Sequence, residues 1–161
     1  MKRITTLLAA LCCLGGLSAQ TGYRPAPENL AARQQFADGR FGIFLHWGLY
    51  AMLGQGEWHM TNANLHYREY EKLAAGFYPA HFDAREWVTA FREAGARYIC
   101  FTTRHHEGFS MFRTAQSPYN IVEATPFARD VVKELADECH RQGIRLHFYY
   151  SLIDWWREDA P

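Results

Sequence analysis

The stretch "YICFTTRHHEGFS", Tyr98 to Ser110, decides the fold. A β-prone, mostly apolar run from Tyr98 to Thr103 gives way to Arg104, two adjacent histidines and Glu107. A buried strand that delivers imidazoles and a carboxyl at its C-terminal end is the way α/β proteins build sites.

Upstream of that strand, Asp83 to Glu93 carries strong helix signals. Asp83 at the cap with Glu86 three residues on makes a capping box, and Phe82 is placed to staple onto Trp87. Trp87, Ala90, Phe91 and Ala94 fall at i, i+3, i+4 and i+7, which predicts one apolar stripe, and Gly95 ends the helix. Earlier still, "RFGIFLHWG" (Arg40 to Gly48) reads as a strand closed by glycine. A Gly-, Trp- and Asn-rich connection from Leu49 to Leu65 has the length of a functional loop, and "YREYEKLAAGF" reads as a short helix ending near Gly76 and Pro79.

Downstream, a loop to Ala124 leads into a helix for which Thr125 is the expected cap and Pro126 the first helical position. Val132, Leu135, Ala136 and Cys139 line its expected face, Gly143 closes it, and "IRLHFYYSL" (Ile144 to Leu152) is a third strand.

Strands alternating with helices through short links imply a parallel sheet. A doubly wound sheet and a (β/α)8 barrel share that order. The polar residues separate them: His46, the His105–His106 pair, and Tyr149, Tyr150 and Ser151 all stand at strand C-terminal ends, which in a barrel converge on one mouth. No GxGxxG follows any strand. The expected fold class is therefore α/β, the N-terminal portion of a TIM-like (β/α)8 barrel. Eight units need roughly 250 residues; about three are legible here, so the chain is expected to be the truncated front part of a longer protein.

Among 161 residues, 17 basic and 17 acidic side chains cancel, which argues against a nucleic-acid footprint or a polybasic membrane patch. The N-terminus, "MKRITTLLAALCCLGGLSAQ", has Lys2 and Arg3 before an apolar core from Leu7 to Leu17, then Ser18 and Ala19. It reads as a secretory signal peptide over residues 1–19, cleaved near Ala19, rather than as a lipoprotein signal on Cys12 or Cys13. Residues 20–161 then form an exported chain, periplasmic or extracellular, with no membrane span. Cys100 and Cys139 show no metal-type spacing and read as small buried hydrophobes rather than as a disulfide.

Three readings exist for His105, His106 and Glu107. A metal site is one, but adjacent residues leaving a strand point to opposite faces and no HxH follows the first strand. Histidines satisfied by backbone bonds in a turn are another. The third is polyol recognition: neutral imidazole has one donor and one acceptor, which matches a hydroxyl. Trp47, Trp58 and Phe109 would supply apolar faces for a sugar ring, and in "GEWHM" Glu57 would accept hydroxyl hydrogens beside Trp58.

The blocks "RFGIFLHWGLYA", "GEWHM", "FDAREWVTAFREAGARYICFTTRHHEGFSMF" and "RDVVKELADECHRQGIRLHFYYSLIDW" together resemble the α-L-fucosidases of glycoside hydrolase family 29, from Phe36 to Trp156. The resemblance implies retaining hydrolysis of terminal α-L-fucose from a fucosylated oligosaccharide or glycoconjugate, with no metal or other cofactor. It carries fucose binding onto His46, Glu57, Trp58, His105, His106 and Tyr149. It places the nucleophilic aspartate and the usual acid/base glutamate beyond Pro161, although in some members a residue matching Glu57 has the acid/base role; Asp154 receives no such role. His59, Glu107 and Met111–Phe112 depart from common family residues and bear on linkage and aglycone preference. The alternative is a non-catalytic carbohydrate-binding protein that keeps the pocket.

Overall fold

The computed structural model describes residues 22–158, so the leader expected at 1–19 lies outside the described residues. The chain divides into two compact units, Met1–Asp38 and Gly39–Pro161. In the first, helix α1 spans Pro27–Asp38 with Pro27 at its start and none of its residues buried.

The second unit is an α/β layer. Strands β1 (Gly42–Leu45), β2 (Tyr98–Arg104) and β3 (Arg145–Tyr150) form a parallel sheet in the order β1-β2-β3. Two short helices, α2 (His59–Asn62) and α3 (Tyr67–Tyr70), break the connection after β1. The 3-10 turns Leu49–Met52 and Glu71–Gly76 break it further. Helix α4 (Ala84–Glu93) links β1 to β2 and α5 (Val131–Gln142) links β2 to β3; the two helices pack against each other. Among the described residues no helix is long and apolar enough to cross a membrane.

Local chemistry sets these boundaries. The Asp83 carboxylate accepts the Glu86 N–H at 2.9 Å, and the Phe82 ring meets the Trp87 ring edge-on at 5.0 Å. The expected stripe on α4 is rotated, however: Ala84 and Val88 are buried with Trp87 and Phe91 packed beside them, while Ala90 and Ala94 are exposed. The small alanines lose to Val88 and the aromatic rings because larger apolar area gains more from burial. Helix α5 also starts later than the sequence predicts. Ala128 takes a positive φ of 51°, which interrupts helical backbone, and Asp130 is the cap, accepting the Lys133 N–H at 2.9 Å. The Thr125 hydroxyl donates to the Ile121 carbonyl and accepts the Ala128 N–H at 3.4 Å, closing a turn ahead of the helix.

The core lies between the sheet and α4–α5, with Ile99, Phe101, Val88, Val131, Leu135 and Cys139 buried in it. Cys139 and Cys100 are free thiols, and burial pushes the Cys139 thiol up to about 11. The opposite sheet face carries larger rings. Tyr98 on β2 lies so close over Gly42 on β1 that any Cβ at Gly42 would overlap its ring.

Candidate active site

Three strand ends carry the site. His46 follows β1 directly, His105 and His106 follow β2, and Tyr149 is the penultimate residue of β3. The strand β1 stops at Leu45, short of the expected Gly48, because the next backbone donors turn to side chains: the Trp47 N–H donates to the Thr102 hydroxyl at 2.9 Å. That hydroxyl in turn faces the Leu45 carbonyl at 3.2 Å and the Trp47 carbonyl at 3.0 Å, and pairs with the Tyr50 hydroxyl at 3.0 Å. One buried threonine on β2 thus fixes the path on which His46 sits.

At the end of β2 the register shifts between Thr102 and Arg104, so Thr103 has no opposite number on β3 and its hydroxyl donates to the Tyr149 carbonyl. A turn follows, closed by the Gly108 N–H donating to the His105 carbonyl at 3.1 Å, with Gly108 at φ 82°. A Cβ at Gly108 would collide with Asp154 and Trp156, so glycine is required both for conformation and for space. This turn corrects the expectation that the two histidines point apart. Extended geometry ends before them, and their rings lie 4.3 Å apart.

The rings form a continuous cluster. His105 lies 4.9 Å from His46 and stacks on Tyr149 at 5.7 Å and 20°. His106 meets Trp58 at 5.1 Å and Trp155 at 4.9 Å, and those two indoles touch at 5.2 Å. The Ser151 hydroxyl pairs with Nδ1 of His106 at 2.5 Å and donates to the Ile153 carbonyl at 2.8 Å, while the Trp155 N–H donates to the His106 carbonyl at 2.7 Å. His46 and Trp58 are exposed, His106, Tyr149 and Glu57 half-buried, and His105 is buried behind them at 3 %.

The surroundings favour the neutral form of the His46 and His106 imidazoles. Though His46 is exposed overall, partial desolvation of its ring among the neighbouring side chains lowers its pKa, the Glu57 carboxylate draws it back up, and His105 lowers it further. Burial likewise lowers His106, helped by His105 and His46 and opposed by Glu57. Glu57 is therefore within electrostatic reach of both rings.

The structure brings His46, Glu57, Trp58, His105, His106 and Tyr149 into one neighbourhood. It does not bring Trp47 or Phe109 there. Trp47 packs among Phe77, Phe82, Trp87 and Phe101, and Phe109 is 1 % exposed against Phe77 and Tyr119. A ring beside a glycine and a histidine in sequence can face either the core or the mouth, and here both rings face the core. Trp155 was not singled out from sequence; its place two residues before "RE" in the run after β3 gave no periodic signal. Asp154 is engaged structurally: it pairs with Arg104 at 2.6 Å and accepts the Trp156 N–H at 3.1 Å. That ion pair borders a groove of about 440 Å³ shared with Phe112, Gln116, Tyr150 and Trp156. Among the described residues no three His, Cys, Asp or Glu side chains converge as a metal site would require.

A parallel sheet flanked by helices, with polar and aromatic groups gathered at the carboxyl ends of its strands, is an α/β enzyme scaffold. The chain belongs to the α-L-fucosidase family, whose model matches residues 11–160. It is 33% identical to the tissue α-L-fucosidase of Rattus norvegicus over 93% of this chain and 36% of that protein. It is also 33% identical to the human plasma α-L-fucosidase, over 84% of this chain and 33% of that one. Among solved structures it superposes, with a TM-score of 0.78 and 36% identity, on a family 29 α-L-fucosidase of Bacteroides thetaiotaomicron trapped as a covalent intermediate with 2-fluoro-fucosyl fluoride. That match covers 89% of this chain and 34% of the other. The chain spans about a third of the length of the curated relatives it matches.

Proposed function

We propose that the protein carrying this chain is an exported α-L-fucosidase that removes terminal α-L-fucose from fucosylated oligosaccharides or glycoconjugates with retention of configuration. The observation that carries this reading is the convergence of His46, His105 and His106 at the carboxyl ends of adjacent parallel strands, with Trp58 and Trp155 walling His106. Neutral imidazoles give and take hydrogen bonds with sugar hydroxyls, and indole faces accept the C–H side of the ring. His46, Glu57, His105, His106 and Tyr149 bind hydroxyls in this reading, and Trp58 lines the pocket.

Retention needs a nucleophile and an acid/base about 5 Å apart. In this reading the nucleophile and the main acid/base come from a part of the protein outside this chain, and Glu57 assists as acid/base. The trapped covalent intermediate of the bacterial structure supports a retaining course. The three parallel strands are read as the opening units of a (β/α)8 barrel. Residues 1–19 are read as the signal for export to the periplasm or cell exterior.

The test is the full-length protein assayed on an aryl α-L-fucoside, with the first-formed anomer followed by NMR. Release of α-L-fucose as the first product supports the reading, and β-L-fucose overturns the retaining course. Binding of L-fucose without turnover favours the non-catalytic alternative.

A further inference from the structure

Glu107 has no place in the sugar contacts above. It is 2 % exposed and lies behind the ring cluster, inside the turn that the Gly108 N–H closes on the His105 carbonyl. Its Oε2 stands 3.4 Å from Nδ1 of His105, itself 3 % exposed. Neither atom has a hydrogen-bond partner among the described residues. The separation is just beyond the usual N–H···O range.

Besides His105, the carboxyl has its own backbone N–H and the more distant Arg104 charge to favour its ionised form. Arg104 is turned away onto Asp154, the Gly108 carbonyl and the Tyr150 hydroxyl. The buried Tyr70 and Tyr119 hydroxyls feel the Glu107 charge and keep their protons through burial, yet neither makes a hydrogen bond to the carboxyl. Tyr50 keeps its proton too, with its hydroxyl already on Thr102. Burial raises the Glu107 carboxyl, with His105 foremost among the groups that oppose the rise. An acid buried among aromatic rings is a costly group unless it is partnered, and here it faces the one imidazole that the sugar cluster leans on.

We propose that Glu107 is a positioning residue: it accepts a hydrogen bond from Nδ1–H of His105 and so fixes the tautomer that leaves Nε2 as the acceptor of the ring. The other face of that ring is held flat on Tyr149, with His46 and His106 at its edges. An acceptor nitrogen takes the proton of a hydroxyl, so the tautomer dictates the direction of hydrogen bonding in the pocket. The proposal rests on the reading of the cluster as a fucose site.

The test uses the full-length protein with imidazole-15N histidine, the His105 signals being assigned by their loss in His105→Ala. In the wild type His105 carries its proton on Nδ1. Glu107→Gln, which keeps an oxygen acceptor, preserves that tautomer and L-fucose affinity. Glu107→Leu moves the proton toward Nε2 and weakens L-fucose binding by about tenfold, the loss of one buried hydrogen bond. In a His105→Ala background Glu107→Leu costs no further affinity. A wild-type His105 protonated on Nε2 overturns the proposal whether or not Glu107→Leu folds, as does a Glu107→Leu loss that persists undiminished without His105. A protein that shows the tautomer shift but binds no L-fucose overturns the fucose reading alone and supports the positioning of His105 by Glu107.

Discussion

The Thr102 hydroxyl on β2 accepts the backbone N–H of Trp47 at 2.9 Å, across 55 residues of sequence. The bond joins the second strand to the segment that carries His46, so the site is braced by a side chain that never faces it. Thr102 is 1 % exposed, which leaves no water to replace the bond. Thr102→Val, nearly isosteric, leaves the Trp47 N–H and the Tyr50 hydroxyl unpartnered. We expect it to destabilise the full-length protein by about 1–3 kcal/mol in urea unfolding and to weaken L-fucose binding. Unchanged unfolding and binding would show that the brace is dispensable.

The accessible histidines make a pH forecast. Burial holds His46 and His106 below the usual imidazole value, so the native protein keeps both rings neutral where the unfolded chain has begun to take up protons. Unfolding then binds protons, and stability contributed by these rings is present above the unfolded value of about 6.5 and is lost as pH falls from there through the lower value of the folded rings. Fucose affinity follows, staying level through neutral pH and falling on the acid side of 6.5. His46→Ala and His106→Ala should each cost about 1–3 kcal/mol of fucose binding. Calorimetric titration of L-fucose across pH checks both statements, and affinity that rises on acidification contradicts them.

Gly108 combines a positive φ of 82° with no room for a Cβ against Asp154 and Trp156. Gly108→Ala should destabilise by at least about 1 kcal/mol. It should also lower fucosidase activity more than stability, because the turn sets both histidines. A variant with wild-type melting and turnover would show that the turn relaxes freely.

Trp58 is 45 % exposed yet edged against His106 and Trp155. An exposed indole contributes little to folding, so Trp58→Ala should leave the melting temperature within a degree or two on the scale of ordinary surface changes. It should raise KM for an aryl fucoside several-fold, and an unchanged KM would remove Trp58 from the sugar pocket.

If the imidazoles read hydroxyl groups, chelators leave turnover by the full-length protein intact. His105→Gln, which keeps an acceptor and a donor, then retains more activity than His105→Ala. Loss of turnover on chelation, restored by one particular ion, would point to metal ligation instead.

Helix α1 shows one limit of reading the sequence. Its residues Pro27–Asp38 bury nothing, so no apolar stripe marks it, and only Pro27 hints at a start. The α5 boundary shows another. Thr125 followed by Pro126 is a credible helix opening, but Asp130 is the cap and Ala128 turns through a positive φ before it. Two competing caps a few residues apart are separated by tertiary contacts, here including Arg129 lying over Phe82 and Phe127 while it pairs with Glu134.

By itself the sequence determined the strand–helix alternation, the parallel sheet that follows from it, and the strand ends at which His46, His105, His106 and Tyr149 stand. These are consequences of local periodicity, capping and chain direction, which act over a few residues. Only the tertiary structure decided which aromatic rings face the mouth: Trp47 and Phe109 went to the core, while Trp155 joined His106 and Trp58. It alone set the two histidine rings side by side, through a bulge at Thr103 and a turn at Gly108, and put Glu107 against His105. Side-chain direction at a strand end depends on register shifts and close packing with residues some 50 positions away in sequence, as with Gly108 against Asp154, and such contacts leave no periodic trace in the chain.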